Sequence, residues 1–286
     1  MREFVNLTLF HSPLRMTLRG VPWVLGLIAR GQFKVLFVEI RFRLYRSRWN
    51  ARLERELQRS PRPPIPAATR IELKTEHPVA YKSPDHLVPW GTKYDNSTHG
   101  KFILHMEDRI GRSTPSLTRR SMDLGCSGGG LVHDFLRLGW VAVGLEGSDF
   151  SLKHGRAHWP ELANRHLFTC DIGKPFQVLD QGQPQVCDLI TMWEVLEHIR
   201  TEELPVLFAN ILKHLRPGGY FVASTTSEPD FHDGIDLHQT KFTNSEWRAW
   251  LAKQCPELEW VDLGLDYYQF VRYNQERSVL TYRRRN

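Results

Sequence analysis

The sequence predicts an α/β fold built on a parallel sheet, preceded by a basic helical extension. Three observations carry this expectation. From Ser121 onward, short apolar runs alternate with helical patterns, the order that lays parallel strands side by side with helices between them. A glycine-rich stretch, Gly125-Cys126-Ser127-Gly128-Gly129-Gly130, directly follows the first of those runs. The positive charge is confined to the start: residues 1–62 hold 13 Lys+Arg against 4 Asp+Glu, whereas the remainder holds 25 against 28.

Length and composition agree with this division. At 286 residues the chain suits one large domain plus an appendage. A hydrophobic share of 41% excludes a chain disordered throughout. Cys126, Cys170, Cys187 and Cys255 lie far apart, which excludes a disulfide framework and a CxxC zinc pattern and suits a reducing compartment. No apolar run reaches the roughly 18 residues that span a bilayer. The longest, Val21 to Ala29, is closed by Arg19 and Arg30, and no small-residue cleavage site follows it. The expected location is cytoplasmic, with peripheral attachment to a membrane as a variant.

Residues 1–62 read as a basic, apolar, helical extension. Val38, Phe42, Tyr45, Trp49, Leu53 and Leu57 fall three or four apart, one helical face, with arginines at other positions. Ser60-Pro61-Arg62-Pro63-Pro64-Ile65-Pro66 reads as a stiff extended linker. Residues 63–118 read as linker and substrate-side cap, with a short helix marked by Phe102, Ile103, Met106 and Ile110. Residues 119–286 form the main domain. Its expected strands are Ser121–Leu124, Val141–Leu145, Leu167–Cys170, Cys187–Met192 and Tyr220–Ser224, with Leu258–Leu265 and Val279–Arg283 as a late pair. The clearest helix carries Leu204, Leu207, Phe208, Ile211, Leu212 and Leu215. Thr201 is its expected cap, and Pro217-Gly218-Gly219 its end.

Glycines in the Gly125–Gly130 turn let a backbone approach a ligand closely, and a helix N-terminus behind them offers free N–H groups. Glu146 stands 23 residues after Asp123, at the end of the second strand, where a carboxylate can accept both ribose hydroxyls of an adenosine. A dinucleotide site would prefer G-x-G-x-x-G. Here Ser127 takes the second glycine position, and Asp123 would repel a pyrophosphate while suiting a ligand with an amino group.

Over about residues 119–265 the chain resembles the class I S-adenosylmethionine-dependent methyltransferases, those of the ubiquinone-biosynthesis O-methyltransferase type included. The resemblance rests on Asp123-Leu124-Gly125-Cys126-Ser127-Gly128-Gly129, Glu146, Cys170-Asp171-Ile172, Cys187 through His198, and Leu215-Arg216-Pro217-Gly218-Gly219. It implies a Rossmann-like, doubly wound, seven-stranded sheet with helices on both faces and an antiparallel last strand. It also implies S-adenosylmethionine as cofactor. Asp123 would belong to its site, and Gly125, Cys126 and Gly128 would approach the methionine part by their backbones. Glu146 would hold the ribose, Asp171 the adenine amino group, and Ile172 would pack on the ring. Trp193 would wall the site or sit in the core.

Glu194, Glu197 and His198 stand at i, i+3 and i+4, one face if that stretch is helical. The spacing resembles the metal-binding segment of small-RNA 2′-O-methyltransferases, which implies Mg²⁺ or Mn²⁺ on Glu194, Glu197, His198 and His232 or His238. The competing reading makes His198 or His238 a general base for an alcohol acceptor. Residues 75–112 and 226–245 are expected to wall the acceptor site. Their hydrogen-bonding and aromatic residues, Trp90, Tyr94, Asp95 and Asn96 among them, suit a saccharide or other small hydroxylated acceptor. An RNA ribose 2′-O-methyltransferase and a non-catalytic binding module are the alternatives. For the basic leader, packing on the domain, an anionic membrane surface and a transit peptide remain open. Nucleic acid is less favoured, since no binding motif is present.

Overall fold

The computed structural model describes residues 25, 28–31, 33–59, 70–87, 99–113, 118–265 and 277–286. The expectations for the proline linker, Trp90, Tyr94, Asp95 and Asn96 lie outside these residues. In chain order the principal elements are α1 (Phe33–Arg59), β1 (Ile71–Thr75), α2 (Gly100–Ser113), β2 (Arg120–Leu124), α3 (Gly130–Arg137), β3 (Val141–Glu146), β4 (Leu167–Thr169) and β5 (Phe176–Asp180). They continue with β6 (Cys187–Trp193), α4 (Leu204–His214), β7 (Leu215–Thr226), α5 (Asn244–Gln254), β8 (Leu258–Trp260) and β9 (Arg277–Arg284).

Seven strands form one sheet in the order β8-β9-β7-β6-β2-β3-β4. Strands β4, β3, β2, β6 and β7 are parallel, while β9 inserts antiparallel between β7 and β8. The parallel strands are buried on both faces, which is why they read as nearly unbroken apolar runs. Side chains alternate between two cores. Val141, Val143 and Leu145 of β3 join Leu204, Leu207, Trp247 and Leu251 of α4 and α5. Ala142 joins Leu131 and Phe135 of α3 and Phe102, Ile103 and Met106 of α2 on the other side. The doubly wound, seven-stranded architecture expected from the resemblance is the one observed.

Residues 70–87, part of the expected linker and cap, include a strand. Ile71-Glu72-Leu73 alternates, and β1 pairs antiparallel with β5 in register Ile71↔Asp180 to Thr75↔Phe176. This small sheet brings Ala80 against Gly147, whose carbonyl accepts the Ala80 N–H at 2.9 Å. The same segment reaches the loop after β4, where Asp171 N–H donates to His77 O at 2.9 Å. Thr201 does not cap α4: it opens a separate 3₁₀ turn, and its hydroxyl meets that of Thr240 at 2.9 Å.

The extension is partly built into the core. Leu53 is buried among α2 and α3 side chains, with Tyr45 and Leu57 packed beside it. Gly100 lets the helices close up: a Cβ there would lie 2.8 Å from Trp49 O, and the Gly100 N–H donates to Asn50 Oδ1 at 3.0 Å. Arg137 of α3 grips Glu54 with two hydrogen bonds of 2.7 Å. The described C-terminal part of the Val38–Leu57 stripe therefore faces the domain instead of inserting into a membrane. Truncating Leu53 to Ala should cost about 2–5 kcal/mol, the range for a buried leucine that leaves a cavity. Leu44→Ala, at an exposed position, should stay within about 0.5 kcal/mol. Denaturant unfolding of the two variants measures the contrast.

Candidate active site

Strand β2 delivers the chain to its C-terminal edge, where it must turn into α3. Gly125 takes φ +79°, and a Cβ at that position would collide with Val195 Cγ2. Ser127 takes φ +51°, a region that favours glycine. What fixes the turn is its attachment to β3. Leu145 O accepts the N–H groups of Gly125 at 2.7 Å and Cys126 at 3.1 Å. One oxygen of Glu146 accepts Ser127 N–H at 2.8 Å, and the other accepts Ser148 N–H at 3.1 Å. The carboxylate thus braces the loop, while its remaining lone pairs can still accept from a ligand.

A cleft opens beside this turn, and four of the residues expected at a cofactor lie in its wall: Gly125, Glu146, Asp171 and Ile172. Ala80, Ser83 and Pro84 line it from one expected acceptor segment, and Gln239 from the other. Asp171 accepts Gly173 N–H at 3.0 Å, and burial pushes its carboxyl above the usual carboxylate range. The other residues expected at a cofactor are not in that wall. Asp123 is buried within the sheet, where its Oδ1 accepts the Thr191 hydroxyl at 2.7 Å, and it is not part of the cleft wall. The Cys126 side chain belongs to the core, and Gly128 O accepts His158 N–H at 3.1 Å. Trp193 is a packing residue: its ring meets Phe102 edge-on at 4.9 Å and His99 at 5.7 Å, so it supports α2 instead of walling the cleft.

The acidic–histidine segment is not an α-helix. Strand β6 ends at Trp193, Glu194 takes φ +56°, and a 3₁₀ turn covers Leu196–His198. The i, i+3, i+4 alignment is lost. Glu194 turns to β7 instead, where its carboxylate accepts the Ser224 hydroxyl at 2.7 Å and its N–H donates to Ser224 O at 3.1 Å. Glu197 and His198 stay together, and His238 joins them from the 230s loop. Glu197 O accepts the N–H groups of Gln239 at 2.6 Å and Thr240 at 3.0 Å, which draws that loop in. Potential ligand atoms of Glu197, His198 and His238 lie within 4.8 Å of one another, so these three can hold a cation. His232 sits apart, 3.4 Å from Asp233.

The two rings meet edge to face, centroids 4.9 Å apart. His198 Nδ1 faces Leu237 O at 2.8 Å, and His238 Nδ1 faces Glu228 O. A carbonyl only accepts, so each Nδ1 carries hydrogen and Nε2 is the basic nitrogen of each neutral ring. Burial pushes the His238 pKa down, against the Glu228 hydrogen bond that raises it. His198 also lines the cleft that contains Glu146. Sequence reasoning missed Arg200 and Glu203, which share that wall; Arg200 and Lys174 both bind Glu203, at 2.9 and 2.8 Å. No local spacing signals them, because they come from loops that only the fold brings together.

A parallel sheet with one antiparallel insertion, a glycine turn after its first strand and a carboxylate ending the second define a class I S-adenosylmethionine-dependent methyltransferase domain. Residues 43–278 match the family model described as a methyltransferase domain, and the chain belongs to that family. It is similar to the ubiquinone biosynthesis O-methyltransferase of Vibrio cholerae, 29% identical over 107 residues that cover 37% of this chain and 42% of that protein. It is also similar to the enzyme of the same name from Bartonella quintana, 25% identical over 170 residues, 56% of this chain and 57% of that protein. The chain thus spans about half the length of the curated relatives it matches. A solved S-adenosylmethionine-dependent methyltransferase from Clostridium acetobutylicum superposes with a TM-score of 0.49 at 14% identity, over 71% of this chain and 96% of that one.

Gly125→Ala tests the turn. The substitution meets both the left-handed backbone and Val195, so S-adenosylhomocysteine affinity measured by calorimetry should fall at least tenfold, about 1.4 kcal/mol or more. Gly182→Ala, also at positive φ but facing open space, should leave that affinity unchanged.

Proposed function

We propose that this enzyme transfers a methyl group from S-adenosylmethionine to a hydroxyl oxygen of a small hydroxylated acceptor, a saccharide among the candidates. The observation that carries this reading is the placement of basic imidazole nitrogens beside the cleft that contains Glu146 and Asp171. Glu146 would hold the ribose hydroxyls through the lone pairs left over from bracing the loop, and Asp171 with Ile172 would receive the adenine. The sulfonium cofactor supplies an already activated methyl group, so the protein need only align the acceptor and remove its proton. As the acceptor oxygen bonds the methyl carbon, the C–S electrons leave with sulfur and the hydroxyl proton passes to Nε2 of His198 or His238. The names of the two O-methyltransferase relatives support an oxygen acceptor over a nitrogen one.

A second reading is favoured by the gathering of Glu197, His198 and His238. An oxygen and two imidazoles suit Mn²⁺ better than Mg²⁺, and a bound cation would hold and acidify the acceptor hydroxyl. Glu194, directed at Ser224, is outside this set. An RNA ribose acceptor and a binding role without turnover stand behind both readings.

Methyl-labelled cofactor offered with a panel of polyols, saccharides, phenols and RNA tests the proposal; label on oxygen of a small acceptor is expected. His198→Ala and His238→Ala should each lower kcat by about 10²- to 10⁴-fold with cofactor affinity nearly unchanged. If His238 is the base, its burial-depressed pKa keeps Nε2 unprotonated at neutral pH. Then kcat/KM should hold on acidification until below about 6.5, the ordinary histidine value, and fall as the ring takes its proton. Turnover that resists EDTA leaves the general base, whereas loss restored by Mn²⁺ establishes the cation.

A further inference from the structure

Helix α1 carries two apolar stripes on opposite sides. At about 100° per residue, Phe33, Phe37, Ile40 and Leu44 fall within an arc of about 60°, while Tyr45, Trp49, Leu53 and Leu57 centre about 170° away. The second stripe faces the domain. Among the described residues the first has no such cover: Phe33 is 61% exposed, Phe37 61%, Ile40 47% and Leu44 66%. Just before the helix, Leu25 and Ile28 are exposed as well. Scattered apolar residues on a surface need no explanation, but an aligned run of four large ones on a single helix face marks an interaction surface.

Cations border this run and extend it. Arg41, Arg48, Arg52, Arg55 and Arg59 lie about 40–100° round the helix from Phe33, and all are exposed. The Arg41 guanidinium rests over the Phe37 ring, 5.6 Å from its centroid. The side of α1 turned from the domain is thus apolar over its first three turns and cationic over the rest. Residues 33–59 hold 8 Lys+Arg against 3 Asp+Glu, and Glu54 is already engaged by Arg137.

We propose that this outer face of α1 docks the enzyme on an anionic lipid surface, with the apolar stripe in the headgroup boundary and the arginines on lipid phosphates. The charge selects this occupant. A second copy would set one cationic face against another, and a purely apolar partner groove would strand the arginines. Among the described residues no helix is long and apolar enough to cross a membrane, so α1 lies along the surface. The domain-facing stripe keeps the catalytic part attached. The inference does not depend on which acceptor is methylated.

The test is co-sedimentation of the full chain with phosphatidylcholine vesicles, with and without phosphatidylserine. Binding is expected to the anionic vesicles and to weaken as salt shortens the Debye length. Arg48→Glu with Arg55→Glu should reduce partition by at least fivefold per position, since a basic side chain near such a surface is worth about 1 kcal/mol. Phe37→Ser with Ile40→Ser should reduce it to a similar degree, with cofactor affinity and melting temperature unchanged because neither residue is buried. Three results would overturn the proposal: no binding to anionic vesicles, equal binding by the Phe37→Ser/Ile40→Ser variant, or a lipid-free dimer that this variant abolishes.

Discussion

The carboxylate of Glu146 ties two strands' ends together, and the candidate site depends on that tie. Parallel strands leave their C-terminal ends as disconnected loops, and nothing in the sheet itself fixes one loop against its neighbour. Here Leu145 O and both oxygens of Glu146 take up four backbone N–H groups, from Gly125, Cys126, Ser127 and Ser148. Hydrogen bonds to a charged acceptor are worth about 1.5–3 kcal/mol each, enough to hold Ser127 in a left-handed conformation. With the glycine turn fixed, Gly125 can touch Val195, and Val195 begins the turn that presents His198. One carboxylate thus sets the position of the glycine turn and, through it, of the turn that carries His198.

The peripheral elements serve the same edge. The β1–β5 sheet lays residues 77–80 across the ends of β3 and β4, and this closes one side of the cleft. The 230s loop closes the other, pulled in by Glu197 O and steadied where Lys241 pairs with Asp236. Helix α1 packs on α2 and α3. Its second half completes the core above α2 and α3, while its first half presents an uncovered apolar face. Because the two stripes point in opposite directions, the helix has little net amphipathicity over its full length.

Most of the central sheet was legible because parallel strands buried on both faces must be written as apolar runs. The runs at 121–124, 141–145, 167–170 and 187–192 match β2, β3, β4 and β6 within a residue at each end. Glu146 was legible from its spacing to the glycine turn. Strand β1 was not, since it is five residues long and its partner lies a hundred residues away, so its short alternation carried little weight. The grouping of Glu194 with Glu197 failed for a local reason: Glu194 leaves helical geometry to bond Ser224, a partner no spacing rule contains. For Trp193, expected in the cleft wall or in the core, the core place is the one observed, whereas the Asp123 carboxylate meets Thr191 within the sheet, a partner that its position before the turn does not disclose. A single-face reading of α1 found the stripe that packs on the domain and passed over the opposite one, which the covered face alone does not predict.

Amide hydrogen exchange with and without S-adenosylhomocysteine tests the central claim most directly. The cofactor fragment should protect the amides of the Gly125–Gly129 turn, of Gly147 and Ser148, and of Ile172 and Gly173, with little change in α1 or in the β8–β9 edge. Protection confined to other parts of the sheet, or none at saturating ligand, would contradict the account of a cofactor loop fixed by Glu146.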